Sequence, residues 1–289
     1  MAQAKGFFTD TSVCIGCKAC EVACKEWNEL TGNPPAFLAD SFDNTGKLDA
    51  ENWRHVKFIE NDAHLTAATV TGNGQAWLMM SDVCKHCQQA SCAEVCPTNA
   101  IIRTEFDTVF IQQDTCNGCR NCIAACPYGV IGFSEKTGTA RKCTLCYDRL
   151  QNDMTPACAK ACPTQSIQFG NLVDLQAAAD KRLAVLRQTG FSNAQLYGRD
   201  PNQVYGGLNS FFLLMDKPEV YGLPTGESAQ LPSRNDIGGY VGVLVAGALA
   251  VLGGLLAFRR RREQPEDSPA PEPESEPERT VAGGGGGEA

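Results

Sequence analysis

The cysteines constrain this chain more than any other residue type. Its 289 residues include sixteen cysteines, which fall into four groups of four with none left over. The first and third groups have the spacing C-x2-C-x2-C-x3-C, and each of the last three groups ends in Cys-Pro. In sequence order the groups are Cys14, Cys17, Cys20, Cys24; Cys84, Cys87, Cys92, Cys96; Cys116, Cys119, Cys122, Cys126; and Cys143, Cys146, Cys158, Cys162. Such runs bind [4Fe-4S] clusters in bacterial ferredoxins, so the sequence predicts four clusters.

The spacing has a physical reason. Two-residue gaps let one tight loop present three thiolates to three irons of a cubic cluster, with backbone N–H groups directed at sulfur. Gly16 and Gly118 lie between the first two cysteines of their runs, where the backbone must come close to the cluster. The fourth thiolate of each run reaches a neighbouring cluster, and in the last three runs the proline after it stops the helix.

Two other uses of cysteine fit the sequence less well. Zinc sites take two separated C-x2-C pairs and do not need a third cysteine two residues later or three Cys-Pro endings. A disulfide framework is also disfavoured, because C-x2-C-x2-C is poor geometry for three bridges.

The pairing of the groups follows from the spacing between them. Only 19 residues separate Cys96 from Cys116, and they read as two short strands, Ala100 to Arg103 and Thr108 to Gln112, around a turn. The second and third groups therefore form one two-cluster unit, and the first and fourth groups pair by elimination. Crossed ligation then predicts the sets Cys14, Cys17, Cys20 with Cys162; Cys143, Cys146, Cys158 with Cys24; Cys84, Cys87, Cys92 with Cys126; and Cys116, Cys119, Cys122 with Cys96.

These assignments predict an α+β fold of nested bacterial ferredoxin-like units. A four-cluster domain covers residues 1–170, with an inner two-cluster unit at 80–130 inserted in the outer one. Residues 171–236 are predicted to hold an amphipathic helix, capped by Asn171 and stopped by Gly190, followed by an arm that docks on a partner or forms a solvent loop.

A membrane anchor is predicted after the arm. Residues 237–258 form a run of 22 without a charge, and a helix of that length reaches about 33 Å, enough to cross a bilayer. A buried core helix is the weaker alternative, because core helices rarely run so far without a polar residue. Residues 259–289 are predicted to be a basic stop followed by a disordered acidic tail, with eight carboxylates and one arginine from Glu263 onward.

Charge indicates the compartment. The net charge of −8 disfavours a nucleic-acid partner.

The charges that flank the apolar run predict its orientation in the membrane. Four arginines at 259–262 follow the run and only Arg234 precedes it closely, so the positive-inside rule predicts a cytoplasmic tail and a cluster domain on the periplasmic side of the inner membrane. The first residues show no apolar signal core and no twin-arginine pair, so export is expected to depend on the signal of another protein.

Several cations lie inside or beside the cysteine runs: Lys18, Lys85, Arg120 and Lys142. A positive charge near a cluster favours its reduced state, but ordinary solvated surface charges explain the same pattern equally well. His86 is predicted to lie beside the ligands or to face a partner, because its run already has a full set of cysteines.

The sequence resembles the iron-sulfur (beta) subunit of membrane-bound respiratory formate dehydrogenases. The resemblance covers residues 7 to about 258 and rests on the strings VCIGCKACEVACKEWN from Val13, WRHVKF from Trp53, KCTLCYDRL from Lys142 and PACAKACPTQSIQFG from Pro156. It implies a subunit that carries electrons from a molybdenum- or tungsten-pterin catalytic (alpha) subunit to a membrane cytochrome b (gamma) subunit and quinone. It also implies export together with a catalytic subunit that carries a twin-arginine signal.

The remaining sequence contains no catalytic machinery. It has no G-x-G-x-x-G after a strand and no Walker lysine motif, and every cysteine is assigned as a ligand, so no catalytic residue is predicted. The four-cluster pattern is shared with the electron-transfer subunits of polysulfide, thiosulfate, dimethyl sulfoxide and nitrate reductases and of hydrogenase. A different class of function, an assembly module whose clusters are structural, also stays open.

Overall fold

The computed structural model describes residues 3–32, 42–43, 45–60, 77–225 and 237–262. Contacts divide the protein into a larger unit, Met1–Ser233, and a smaller one, Arg234–Ala289. The strands in the described residues are β1 Lys5–Asp10, β2 Arg54–Glu60, β3 Trp77–Val83, β4 Ile101–Arg103, β5 Val109–Ile111, β6 Gly132–Ser134, β7 Thr139–Arg141, β8 Ile167–Asn171, β9 Gln195–Tyr197 and β10 Ser210–Leu214. The helices there are α1 Ala19–Trp27, α2 Ser91–Glu94, α3 Asn121–Ala124, α4 Tyr147–Leu150, α5 Ala157–Lys160, α6 Leu172–Gln188 and α7 Ile237–Arg262.

A four-stranded sheet of order β8-β1-β10-β9 is the framework of the larger unit. β1 pairs antiparallel with β8 and parallel with β10, so the first strand of the chain lies between two strands that follow the last cysteine in the sequence. β10 is buried along its whole length, which explains its nearly continuous apolar sequence, SFFLL. Phe8 of β1 stacks on Phe211 of β10 with ring centroids 5.3 Å apart, and these rings fill the core behind the sheet.

The position of β9 and β10 differs from the sequence prediction. The sequence predicts a helix and a docking arm over residues 171–236, but residues 195–197 and 210–214 are strands of the main sheet. The sequence between them is irregular and rich in Gly and Asn, so it gives no strand signal; β10 is buried throughout, whereas in β9 only Tyr197 is buried. Residues 226–236 of the predicted arm lie outside the described residues.

Helix α6 packs against this sheet through the predicted apolar stripe. Leu175, Ala179 and Leu186 are buried, and Gly190 adopts a φ of +100° just beyond the helix end. Asn171 occupies the N-cap position, but its side chain donates a hydrogen bond to Asp174 rather than capping a backbone N–H.

Three antiparallel hairpins complete the larger unit. β4 pairs with β5, with Ile101 opposite Ile111, within one residue of the boundaries predicted for the strands between Cys96 and Cys116. β6 pairs with β7. The longer β2–β3 hairpin is absent from the sequence prediction, and it places Arg54 opposite Val83, beside the second cysteine group.

The smaller unit contains helix α7. In the described residues it is the one helix that is long and apolar enough to cross a membrane, by length and composition. The helix continues four residues beyond the predicted end at Phe258, through Arg259–Arg262. Arginine is a good helix former, and cations at a helix C-terminus interact favourably with its dipole, so the basic stop extends the helix instead of ending it. The predicted acidic tail from residue 263 lies outside the described residues.

Candidate iron-sulfur cluster sites

The structure gathers cysteines from distant runs around common cavities. Cys14, Cys17 and Cys20 line a cavity of about 290 Å³ together with Cys162, and we call this set the first quartet. Three of its members come from the loop before α1 and the start of that helix, whereas Cys162 follows α5. Residues far apart in the sequence therefore meet at one site, as the crossed scheme requires.

Two further cavities lie in the inner unit. Cys84, Cys87, Cys92 and Cys126, the third quartet, line a cavity of about 360 Å³. Cys96, Cys116, Cys119 and Cys122, the fourth quartet, line one of about 290 Å³. The last cysteine of each run thus lies with the first three cysteines of the other run.

The second quartet consists of Cys24, Cys143, Cys146 and Cys158. Burial raises the pKa of the Cys24 thiol well above its usual value, and the neighbouring Cys158, Cys143 and Cys146 thiolates raise it further. All four side chains are buried. Together the four quartets account for all sixteen predicted site cysteines.

The loops that carry the cysteines adopt left-handed backbone conformations. Gly16 and Gly118 have φ values of +66° and +70°. A Cβ atom at Gly118 would lie 2.3 Å from the carbonyl oxygen of Gly138, and one at Gly16 would lie 2.7 Å from Met79 Sδ. Only glycine fits these turns without displacing a neighbour.

Backbone N–H groups are directed at several thiolates. Leu145 N donates to Cys143 Sγ at 3.3 Å. Burial raises the pKa of Cys96, but hydrogen bonds from the N–H groups of Ile101, Thr98 and Ala100 lower it more, so its pKa falls below the usual value. Such donors stabilise anionic sulfur, which is the form that binds iron.

The residues fit polynuclear clusters. A single zinc ion needs four ligands at about 2.0 to 2.3 Å from one centre. In the described residues, no group of three or more His, Cys, Asp or Glu side chains is arranged around a single ion in that way. Three of the quartets instead surround larger cavities, and all four carry the sulfur ligands that [4Fe-4S] clusters require.

Comparison with known proteins agrees with this chemistry. Two family models described as 4Fe-4S dicluster domains match residues 13–100 and 75–172. The sequence is 39% identical over 219 residues to a formate dehydrogenase iron-sulfur subunit of Haemophilus influenzae, covering 74% of this protein and 67% of the relative. It is 35% identical over 252 residues to the nitrate-inducible formate dehydrogenase iron-sulfur subunit of Escherichia coli, covering 86% of this protein and 81% of that one. The protein belongs to the family of formate dehydrogenase iron-sulfur subunits. A more distant relative is a component of the anaerobic dimethyl sulfoxide reductase of Escherichia coli, 34% identical over 179 residues, which cover 61% of this protein and 78% of that relative.

The four predicted cations of this iron-sulfur subunit separate into two kinds. Lys18 and Arg120 lie over the rings of Phe58 and Phe133, with their charged groups 5.4 and 3.8 Å from the ring centroids. Lys85 and Lys142 are buried, so the interpretation as solvated surface charges is wrong for these two. Lys85 forms an ion pair with Asp82 and lies over the ring of Tyr128 at 5.0 Å.

His86 of the iron-sulfur subunit lines the cavity of the third quartet and is fully buried, so it does not face a partner. Its Nδ1 accepts a hydrogen bond from Val109 N at 3.1 Å. Burial lowers the pKa of His86 well below its usual value, with help from the nearby Lys142, so the imidazole is neutral. The ring therefore lies beside the ligands as a neutral group.

Two polar residues of the iron-sulfur subunit are missed by sequence reasoning. Arg54 and Ser81 lie on β2 and β3, and both are buried. Arg54 Nη2 donates to Cys158 Sγ at 3.2 Å, and its Nη1 lies 3.3 Å from Ser81 Oγ. Neither residue belongs to a cysteine run, so only their pairing in the hairpin brings them to the quartets.

Proposed function

We propose that this protein is the electron-transfer subunit of a formate dehydrogenase complex and relays electrons through four [4Fe-4S] clusters. The donor is a molybdenum- or tungsten-pterin catalytic subunit, and the acceptor is a membrane cytochrome b subunit that passes electrons to quinone. The observation that carries the proposal is the crossed arrangement of four cysteine quartets. A cluster supplies reversible one-electron chemistry, while the protein provides its ligands, spacing and electrostatic surroundings.

The order of the relay follows from shared elements. Cys20 of the first quartet and Cys24 of the second lie four residues apart on α1, which is about one helical turn. Lys142 directly precedes Cys143 of the second quartet and lines the cavity of the third quartet, so these two quartets are neighbours. Cys122 of the fourth quartet lies on α3, and Cys126 of the third quartet follows two residues after the end of that helix. The quartets therefore form a series.

Exposure supports the same order. Cys17 of the first quartet and Cys119 of the fourth are exposed, whereas the second quartet is buried throughout. The two ends of the series can approach redox partners, and the interior is shielded from solvent. This distribution suits a relay between two partner subunits better than a structural role, for which exposed terminal clusters have no advantage.

Anaerobic analysis of the purified complex is expected to give about sixteen irons and sixteen acid-labile sulfides for this subunit, after subtraction of the iron in the partner subunits. Visible absorption should bleach on reduction with formate and recover on oxidation. An iron content near eight, or tightly bound zinc, would contradict four clusters. Clusters that do not respond to formate or quinone would favour the assembly-module alternative.

A second candidate is the equivalent subunit of a dimethyl sulfoxide-type reductase, which the similarity to a component of that reductase favours. The two candidates differ in the direction of electron flow. In a formate dehydrogenase, formate reduces the oxidised clusters of the native complex. In the reductase, dimethyl sulfoxide reoxidises reduced clusters, and formate has no effect. Adding each substrate to the native complex therefore separates them.

The proposed topology places the cluster domain on the periplasmic side of the inner membrane and the C-terminal tail in the cytoplasm. The basis is the run of four arginines at the end of α7. Protease added to intact spheroplasts is expected to digest the cluster domain and to leave an epitope on the tail protected. A soluble cytoplasmic protein serves as the control for intact membranes. Protection of the cluster domain with loss of the epitope would reverse the topology.

A further inference from the structure

Hydrogen bonds connect a ligand of the first quartet to a ligand of the second. Cys20 Sγ lies 3.2 Å from Ser81 Oγ. Arg54 Nη1 lies 3.3 Å from the same oxygen, and Arg54 Nη2 donates to Cys158 Sγ at 3.2 Å. One guanidinium therefore contacts the second quartet directly and the first through a single hydroxyl.

The charge of Arg54 has no carboxylate partner among the described residues. Its side chain is only 2% exposed and also lies over the ring of Phe7, 4.8 Å from the centroid. A buried cation is strongly unfavourable unless an anion compensates it. The anions within reach are the thiolates of Cys158 and Cys20, so the cation and the quartets compensate one another.

A second buried cation lies where the second and third quartets meet. Lys142 is also 2% exposed, and its Nζ donates to the carbonyl oxygens of Val109 and, at 3.0 Å, Cys143. Its side chain also lines the cavity of the third quartet together with Cys84. Among the described residues it has no carboxylate partner.

Lys85, in the same region, is a buried cation whose charge is compensated by a carboxylate. It is buried to the same degree, but it forms an ion pair with Asp82, and Asp82 also lies 3.3 Å from Lys57. Its charge is therefore neutralised locally. Arg54 and Lys142 differ because sulfur ligands are the anions near them.

We propose that Arg54 and Lys142 set the reduction potentials of the first three clusters of the relay. Arg54 acts on the first and second clusters, and Lys142 acts on the second and third. The inference rests on the proposed four-cluster ligation. Each one-electron reduction adds a negative charge to a cluster, and a fixed cation in a poorly polarisable site stabilises that charge. Hydrogen bonds to ligand sulfur act in the same direction. Arg54 therefore raises the potentials of the first and second clusters, and Lys142 those of the second and third.

Redox titration of the native complex, followed by electron paramagnetic resonance, tests this inference. Arg54→Gln removes the charge, and two of the four clusters are expected to become at least tenfold harder to reduce, about 59 mV lower in potential. Lys142→Met keeps the side-chain volume, and two clusters are again expected to shift by at least tenfold. One cluster, the second, should shift in both variants.

Three further variants separate charge from packing. Ser81→Ala breaks the link to Cys20 while keeping Arg54, so a smaller decrease, about threefold, is expected in one cluster. Arg54→Lys keeps the charge and is expected to retain four clusters with shifts below threefold. Arg199→Gln removes an arginine whose partner is Asp180, and no cluster is expected to shift.

The outcomes are distinguishable. Four clusters with unchanged potentials in both Arg54→Gln and Lys142→Met would overturn the inference and leave the proposed function intact. If Arg54→Gln loses clusters, Arg54→Lys must retain them, and equal defects in both would assign Arg54 to packing and reject the inference. A wild-type complex with fewer than four clusters in this subunit would instead reject the proposed function.

Discussion

Cys162→Ser is expected to remove the cluster of the first quartet and to leave the other three. Cys162 follows the run of Cys143, Cys146 and Cys158, but it lines the cavity of Cys14, Cys17 and Cys20. Serine is a poor ligand for iron, which prefers thiolate in these clusters. Iron in this subunit should fall from about sixteen to about twelve, and quinone reduction by formate should fall to background because one member of the series is missing.

Neighbouring cysteines provide the matched control. Cys158 lies four residues before Cys162 in the sequence. The variant Cys158→Ser is nevertheless expected to lose the same electron paramagnetic resonance signal as Cys24→Ser, because both cysteines belong to the second quartet. Cys162→Ser should remove the same signal as Cys17→Ser. If Cys162→Ser and Cys158→Ser lost one common signal, ligation would follow the runs and the crossed scheme would be wrong.

Gly118→Ala is expected to destabilise the loop of the fourth quartet and to reduce its iron content. The residue has a φ of +70°, which costs a residue with a Cβ about 1 to 2 kcal/mol. The new Cβ would also lie 2.3 Å from the carbonyl oxygen of Gly138, which is backbone and cannot move aside without distorting the β6–β7 turn. Overpacking of this kind costs roughly a further 1 to 3 kcal/mol. Iron analysis and thermal release of the cluster measure the effect.

Gly129→Ala separates the two contributions. Gly129 has a similar φ of +60°, but a Cβ there would meet nothing within 4 Å. This variant is expected to keep all four clusters and to lose stability only through its backbone conformation. Equal losses in the two variants would show that the close approach at Gly118 contributes nothing.

The local features of the site are accessible from sequence because they depend on neighbouring residues. The cysteine spacing fixes a loop and the start of a helix, and the short segment between Cys96 and Cys116 leaves room for little besides the hairpin of β4 and β5. The stripe on α6 is equally visible, since its periodicity is local.

The remaining features depend on pairings between distant residues. Phe8 of β1 aligns with Phe211 of β10, and no pattern within either strand specifies that partner. Arg54 lies in a segment for which the sequence predicts no strand, and only the register of β2 with β3 places it next to Ser81 and Cys158. A sequence pattern shows which residues are polar, but it does not show which buried charge a distant thiolate will compensate.

The central position of β1 affects the order in which the protein can mature. The ribosome releases the first strand early, but its parallel partner β10 and the ligand Cys162 emerge only after the whole inner unit has been synthesised. Contacts of such long sequence separation form slowly, because loop-closure entropy must be overcome first. The third and fourth quartets draw all their ligands from residues 84–126 and can close while the ribosome is still extending the polypeptide. Cofactor insertion is therefore expected to begin in the middle of the polypeptide, and a nascent chain stalled before β10 should already hold the two inner clusters.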